Sequence, residues 1–248
     1  MKVEVLGCSG GKTDSANLPS FLIDGELLLD CGSVCSVLPL KKQLKIKAIL
    51  VSHAHFDHIC DLPFLVDNFS IAGKKINVFA SEKTVELLKK NVFNNSVWPD
   101  FTEIPDKDAP VLQFNSVKEG EELEINGYKV EFFKVFHTEG SMGFIVRNNK
   151  SVLAYTADTS KADNLWEYLK LRGVQTVITE CSFPTERKKL ADLSNHLSVP
   201  DFLNEYRRMG GIEKVYVFHL KPHYREVIEK ELKNFDAVLL KEGDIIEV

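Results

Sequence analysis

The sequence predicts an α/β chain in which two mixed β-sheets pack face to face with helices outside. Two observations carry this expectation. Short apolar, β-branched runs first succeed one another as meanders and then alternate with segments of helical periodicity, in two broadly similar halves. Between two such runs stands Asn126-Gly127, the dipeptide that a two-residue hairpin turn favours.

Taken in order, the first half opens with a strand from Val3, then strands at Phe21–Ile23 and Glu26–Asp30. Lys47 to Ser52 is apolar and β-branched enough for a buried strand, and Ile59 to Phe69 has apolar residues at helical spacing. A strand at Asn77–Ala80 and an amphipathic helix at Glu82–Phe93 close this half. The stretch from Asn94 to Pro110 is rich in Asn, Pro and Asp and reads as an irregular loop within one domain spanning 1–248. The second half offers strands at Glu121–Ile125, Tyr128–Phe136, Gly143–Val146 and Ser151–Thr156. Next come a helix at Ala162–Lys170, a strand at Val174–Thr179, a helix at Pro200–Arg208 and a strand at Lys214–Phe218. A helix at Tyr224–Leu232 and short strands at Ala237–Leu240 and Ile245–Val248 end the chain.

Composition narrows the function. A 248-residue chain with 44% hydrophobic and 27% charged residues is globular. The formal net charge of -5 argues against a general nucleic-acid surface, which is basic. Five cysteines, odd in number and scattered, do not form a secreted disulfide framework, and Cys60 reads as a small buried residue. The start of the chain, Met1 to Leu6, is too short and too acidic for a signal peptide, and no apolar stretch is long enough to span a membrane. The expected localisation is cytoplasmic.

The segment His53-Ala54-His55-Phe56-Asp57-His58 puts three imidazoles and a carboxylate in six residues, between a strand end and a helix start. Loops there carry chemistry because a rigid scaffold holds them at the surface. In extended backbone His53 and His55 point to the same side, so both reach one metal. Asp57, read as the helix N-cap, and His58 turn toward a second position. Imidazole and carboxylate together suit zinc first, and also iron or manganese.

This motif resembles that of the metallo-β-lactamase superfamily, which implies an αββα sandwich and further ligands downstream. His137, Asp158 and His219 each come after a strand-like run, as the first cluster does. The resemblance implies that His53, His55 and His137 bind one divalent ion, that Asp57, His58 and His219 bind the other, and that Asp158 bridges them. The chain is most similar to the class II cyclic-nucleotide phosphodiesterases. The similarity rests on Leu6-Gly7-Cys8-Ser9-Gly10-Gly11, His58-Ile59-Cys60-Asp61-Leu62-Pro63 and Val97-Trp98-Pro99-Asp100-Phe101. Glu180-Cys181-Ser182-Phe183-Pro184, Ser194-Asn195-His196-Leu197 and His219-Leu220-Lys221-Pro222 add to it. Cys8 stands where a small residue such as Ala is expected, and Asn195 where Gly is expected.

The related tRNA 3′-processing nucleases use a Glu and a His in the order of Glu180 and His196 to protonate the leaving oxygen. On that reading Glu180 and His196 join Asp57 as catalytic residues; the alternative is a capping Glu and a surface His. His223 is either a phosphate contact or a surface residue at a helix start. Phe69 and Trp98 either stack on a base or anchor core and loop. Ser9 and the glycines after it either approach a phosphate or form a plain turn.

The implied activity is hydrolysis of 3′,5′-cyclic nucleotides to 5′-monophosphates by a metal-bridging hydroxide. The expected partner is therefore a small cyclic nucleotide, with no membrane, and a homodimer is compatible with the reading. The alternatives are a tRNA-processing endoribonuclease, a thioesterase or lactamase-like hydrolase, and a non-hydrolytic di-iron protein.

Overall fold

In the computed structural model, which describes residues Met1–Val248, the strands form two seven-stranded sheets. The first holds β1 (Lys2–Gly7), β2 (Ser20–Ile23), β3 (Leu27–Leu29), β4 (Ala48–Leu50), β5 (Ile76–Ser81) and β6 (Leu112–Val117), side by side in chain order. The second holds β7 (Glu122–Ile125), β8 (Tyr128–Lys134), β9 (Met142–Arg147), β10 (Val152–Tyr155), β11 (Thr176–Glu180), β12 (Lys214–Phe218) and β13 (Val238–Leu239), also in chain order. The last strand, β14 (Ile245–Glu247), returns to the first sheet and pairs antiparallel with β1. Each sheet begins as an antiparallel meander and becomes parallel, from β3 onward in the first and from β10 onward in the second.

The period-two pleat sorts side chains between layers. Leu27 and Leu29 point into the core between the sheets, while Leu28 joins the core under the helices. On β11, Ile178 faces the inter-sheet core and Val177 the opposite layer. The first sheet is covered by α3 (Leu62–Ile71) and α4 (Glu82–Asn91), and the second by α5 (Leu165–Leu171), α7 (Val199–Arg208) and α8 (Arg225–Leu232). Three short helices complete the fold: α1 (Leu40–Gln43), α2 (Phe56–Ile59) and α6 (Lys188–Leu193). The layers are those of an αββα sandwich, as the sequence predicts. No helix is long and apolar enough to cross a membrane.

Some local expectations need correction. The helix expected over Ile59 to Phe69 is two helices, α2 and α3. Pro63, in the first turn of α3, has no amide hydrogen and cannot continue the ladder from α2. His55, not Asp57, is the N-cap of α2, so the Asp57 side chain is left to face the site. The sequence pattern does not reveal β6, because its polar residues Gln113, Asn115 and Ser116 lie on an edge strand without clean alternation. The short helices α1 and α6 leave no periodicity to read either. Cys60 is exposed rather than buried, and all five cysteines are free.

The break between α2 and α3 lets Asp61 cap a neighbouring turn: its Oδ2 accepts the amides of Val34 at 2.6 Å and Cys35 at 2.7 Å. Losing a charged acceptor for two amides should cost roughly 1–3 kcal/mol. Asp61→Ala is therefore expected to lower the unfolding free energy in urea by that amount with an unchanged slope. A wild-type midpoint would show that the two bonds add nothing.

Candidate active site

Parallel strands end together, and the residues just past their ends share one edge of the sandwich. His53 and His55 lie beyond β4, His137 beyond β8, Asp158 beyond β10, and His219 directly after β12. Glu180 is the last residue of β11, and α2 carries Asp57 and His58. The structure gathers all seven expected ligands here. The ligand atoms of His53, His55 and His137 lie within 4.8 Å of one another, as do those of Asp57, His58, Asp158 and His219.

Asp158 sits between the two groups. Its Oδ2 lies 3.9 Å from His53 Nε2, 3.3 Å from His58 Nε2, 3.8 Å from His137 Nε2 and 3.2 Å from His219 Nε2. Neither Asp158 oxygen has a hydrogen-bond partner, and neither do His53 Nε2 and His58 Nε2, although all are buried. Burial opposes ionisation of Asp158, but His219 and His58 hold its carboxyl well below the usual carboxylate range. A buried carboxylate without donors, faced by imidazole nitrogens, needs cations to satisfy it. The donor set of imidazoles and carboxylates fits a divalent metal site.

Behind the ligands stand residues to which the sequence alone gives no role. Asp30, fully buried just after β3, accepts hydrogen bonds from His58 Nδ1 at 2.7 Å, Ser52 Oγ at 2.8 Å and the Tyr155 hydroxyl at 2.7 Å. It fixes the His58 ring, leaves Nε2 facing Asp158, and joins the two sheets through Tyr155. The available signal is an acidic residue closing the apolar run Leu27 to Leu29. Asn195 occupies left-handed backbone at φ 53°, which explains how it stands where Gly is expected. Its carbonyl lies 3.0 Å from His137 Nδ1, and its amide Nδ2 donates to His137 O at 2.9 Å.

Glu180 and His196 meet at the same edge. His196 Nδ1 is 2.8 Å from Glu180 Oε1, which also accepts the Thr159 amide. Burial disfavours the charged ring, but the charge of Glu180 and its hydrogen bond, helped by Asp158, raise the His196 pKa above its ordinary value. The ring lies beside His137 and stacks on His219.

The four other candidates fare differently. Phe69 is buried in the core beneath α3 and has no face for a ligand. Trp98 packs against that core and edge-on to Phe64, as a loop anchor. Ser9 directs its hydroxyl at Glu242 Oε1, 3.4 Å away. The Ser9 and Gly10 amides already donate to Asn17 O and Leu220 O, so they do not form a phosphate cradle. The glycine serves another end: a Cβ at Gly10 would stand 2.5 Å from His219 O and 2.6 Å from its Nδ1. His223 is exposed on the turn Pro222–Tyr224, outside the ligand groups.

Comparison with known proteins agrees with this fold. A family model described as "Beta-lactamase superfamily domain" matches residues 28–220, and the chain belongs to that superfamily. It is 25% identical to a probable 3′,5′-cyclic-nucleotide phosphodiesterase of Yersinia pestis, across 98% of this chain and 88% of that protein. It is 23% identical to a ribonuclease Z of Methanococcus maripaludis strain C6, across 92% of each. The crystal structure of unliganded yeast PDE1 shares the fold with a TM-score of 0.82 at 19% identity, covering 100% of this chain and 99% of that one. The protein is a hydrolase of metallo-β-lactamase fold with a site fit for divalent metal.

Proposed function

We propose that this chain is a phosphodiesterase that hydrolyses 3′,5′-cyclic nucleotides to nucleoside 5′-monophosphates, with two zinc ions as its cofactor. The observation that carries phosphodiester hydrolysis is the Glu180–His196 pair beside the ligand cluster. When bound, divalent ions supply a water whose pKa is lowered to about 7 and neutralise phosphate charge. His53, His55 and His137 would hold one ion, Asp57, His58 and His219 the other, with Asp158 shared.

Hydrolysis adds a water-derived oxygen to phosphorus and breaks the bond to the ribose 3′ oxygen. That alkoxide is a poor leaving group and must gain a proton. His196 supplies it. Glu180 holds Nδ1, so Nε2 is the nitrogen free to give the proton up. After transfer, a proton from solvent restores the ring. The similarity to the Yersinia pestis phosphodiesterase supports a cyclic substrate. The net charge of -5 weighs against binding a long polyanion. A second reading, an endoribonuclease, is favoured by the ribonuclease Z relatives and would use the same residues.

The direct test is chromatography of products from metal-loaded protein given cyclic mononucleotides, cyclic dinucleotides and precursor tRNA. The expected result is a 5′-monophosphate from the cyclic mononucleotide at the highest kcat/KM. A 3′-monophosphate, or tRNA cleaved far more efficiently, would reject the reading.

Proton donation has its own signature. A 4-nitrophenolate leaves without a proton, whereas a ribose alkoxide does not. His196→Ala is expected to lower kcat on a cyclic nucleotide by roughly a hundredfold or more. It should cost far less on bis(4-nitrophenyl) phosphate, with metal content unchanged. Equal losses on both substrates would mean that His196 binds substrate or supports the fold.

A further inference from the structure

Two carboxylates behind the site are wired alike, one at a strand end of each sheet. In the first, Asp30 accepts the Ser52 hydroxyl at 2.8 Å and His58 Nδ1 at 2.7 Å. Ser52 Oγ lies 3.0 Å from His53 Nδ1 and 3.5 Å from His58 Nδ1. In the second, Glu180 accepts the Ser182 hydroxyl at 2.6 Å and His196 Nδ1 at 2.8 Å. Ser182 Oγ lies 2.9 Å from His219 Nδ1 and 3.4 Å from His196 Nδ1. The corresponding distances agree within 0.2 Å, and all eight residues are buried.

The hydrogen inventory then places a proton on Nδ1 of His219. A serine hydroxyl has one proton, and a carboxylate only accepts. The Ser182 proton therefore goes to Glu180, so its oxygen is left to accept from His219. His219 must carry a proton on Nδ1, so Nε2 is the nitrogen that remains to meet a metal ion. Without a metal, that Nε2 is hydrogen-bonded to Asp57 Oδ2 at 3.2 Å and lies 3.2 Å from Asp158 Oδ2; a divalent ion would take the place of the proton between them. The same logic sets His53 through Ser52.

We infer that Ser182 is a positioning residue. It locks His219 in the tautomer and orientation that a divalent ion in the Asp57, His58, Asp158 and His219 group requires. Glu180 thereby anchors two rings with different tasks, the proton donor directly and a metal ligand through Ser182. The inference rests on the metal-dependent part of the proposed function and not on the identity of the substrate.

The test is calorimetric titration of zinc into chelator-stripped Ser182→Ala, without substrate, together with the ¹⁵N shifts of the His219 ring in the metal-free protein. Loss of a hydrogen-bond partner behind a ligand typically weakens metal binding by roughly 10–100-fold. One of two binding events is expected to weaken by that factor while the other stays within about twofold. The His219 Nδ1 resonance should shift as its hydrogen bond to Ser182 is lost, while Nε2 stays paired with Asp57. Ser182→Thr, which keeps the hydroxyl, should restore both. Unchanged affinities with wild-type shifts would overturn the inference. So would equal weakening of both events with a lowered melting temperature, because that marks a general structural role. Two-ion binding that Ser182→Ala perturbs as expected, in a protein that leaves cyclic nucleotides intact, would reject the substrate reading and leave Ser182 in its role.

Discussion

A carboxylate with no hydrogen-bond donor, set among imidazoles from both halves of the chain, is the constraint on which the rest of this structure depends. Asp158 is 1% exposed, and five histidine side chains place a ring nitrogen within 3.9 Å of its Oδ2. Without cations such a group is costly to bury. Everything around it holds nitrogens toward it. Asp30 and Ser52 grip the His58 and His53 rings from behind, Asn195 grips His137, and Glu180 with Ser182 grips His196 and His219.

The backbone shows the same demand. Asp30, Ala157, Asn195 and His219 all adopt left-handed φ, between 53° and 66°. Sparsely populated backbone costs residues other than glycine roughly 1–3 kcal/mol when the fold imposes it. Each of the four is a site residue or a direct neighbour of one. At Asp30, Ala157 and His219 the strain falls where the chain leaves a strand end, and at Asn195 in the turn between α6 and α7. Gly10 relieves one such place by letting the His219 backbone and ring approach without a Cβ in the way.

Local features are legible in the sequence. The spacing of His53, His55, Asp57 and His58 needs only a strand, a loop and a helix start to mean something, and all three are present. The sheets are legible because their strands are short, continuous apolar runs such as Leu27 to Leu29 and Val177–Ile178, buried on both faces. Residues acting through distant partners are not. Asp30 gains its role only when Tyr155, 125 residues later, crosses from the other sheet. Ser182 gains its role only beside His219, and Asn195 only beside His137. Phe69 is readable in a different way: it shares a helical face with Leu62, Leu65 and Val66, and that face is core. The Ser9 turn misleads because glycine freedom serves a close packing contact as readily as a phosphate.

If Asp158 is the shared hub, the isosteric change Asp158→Asn should remove what both groups of ligands have in common while sparing the packing. Zinc binding measured by equilibrium dialysis of stripped protein is the most direct measurement. Both ions are expected to bind more weakly, beyond the roughly 10–100-fold lost when a residue behind a ligand is removed. The metal-free variant should be at least as resistant to urea as the metal-free wild type, because a buried charge without donors is gone. Two ions bound at wild-type affinity would contradict the account.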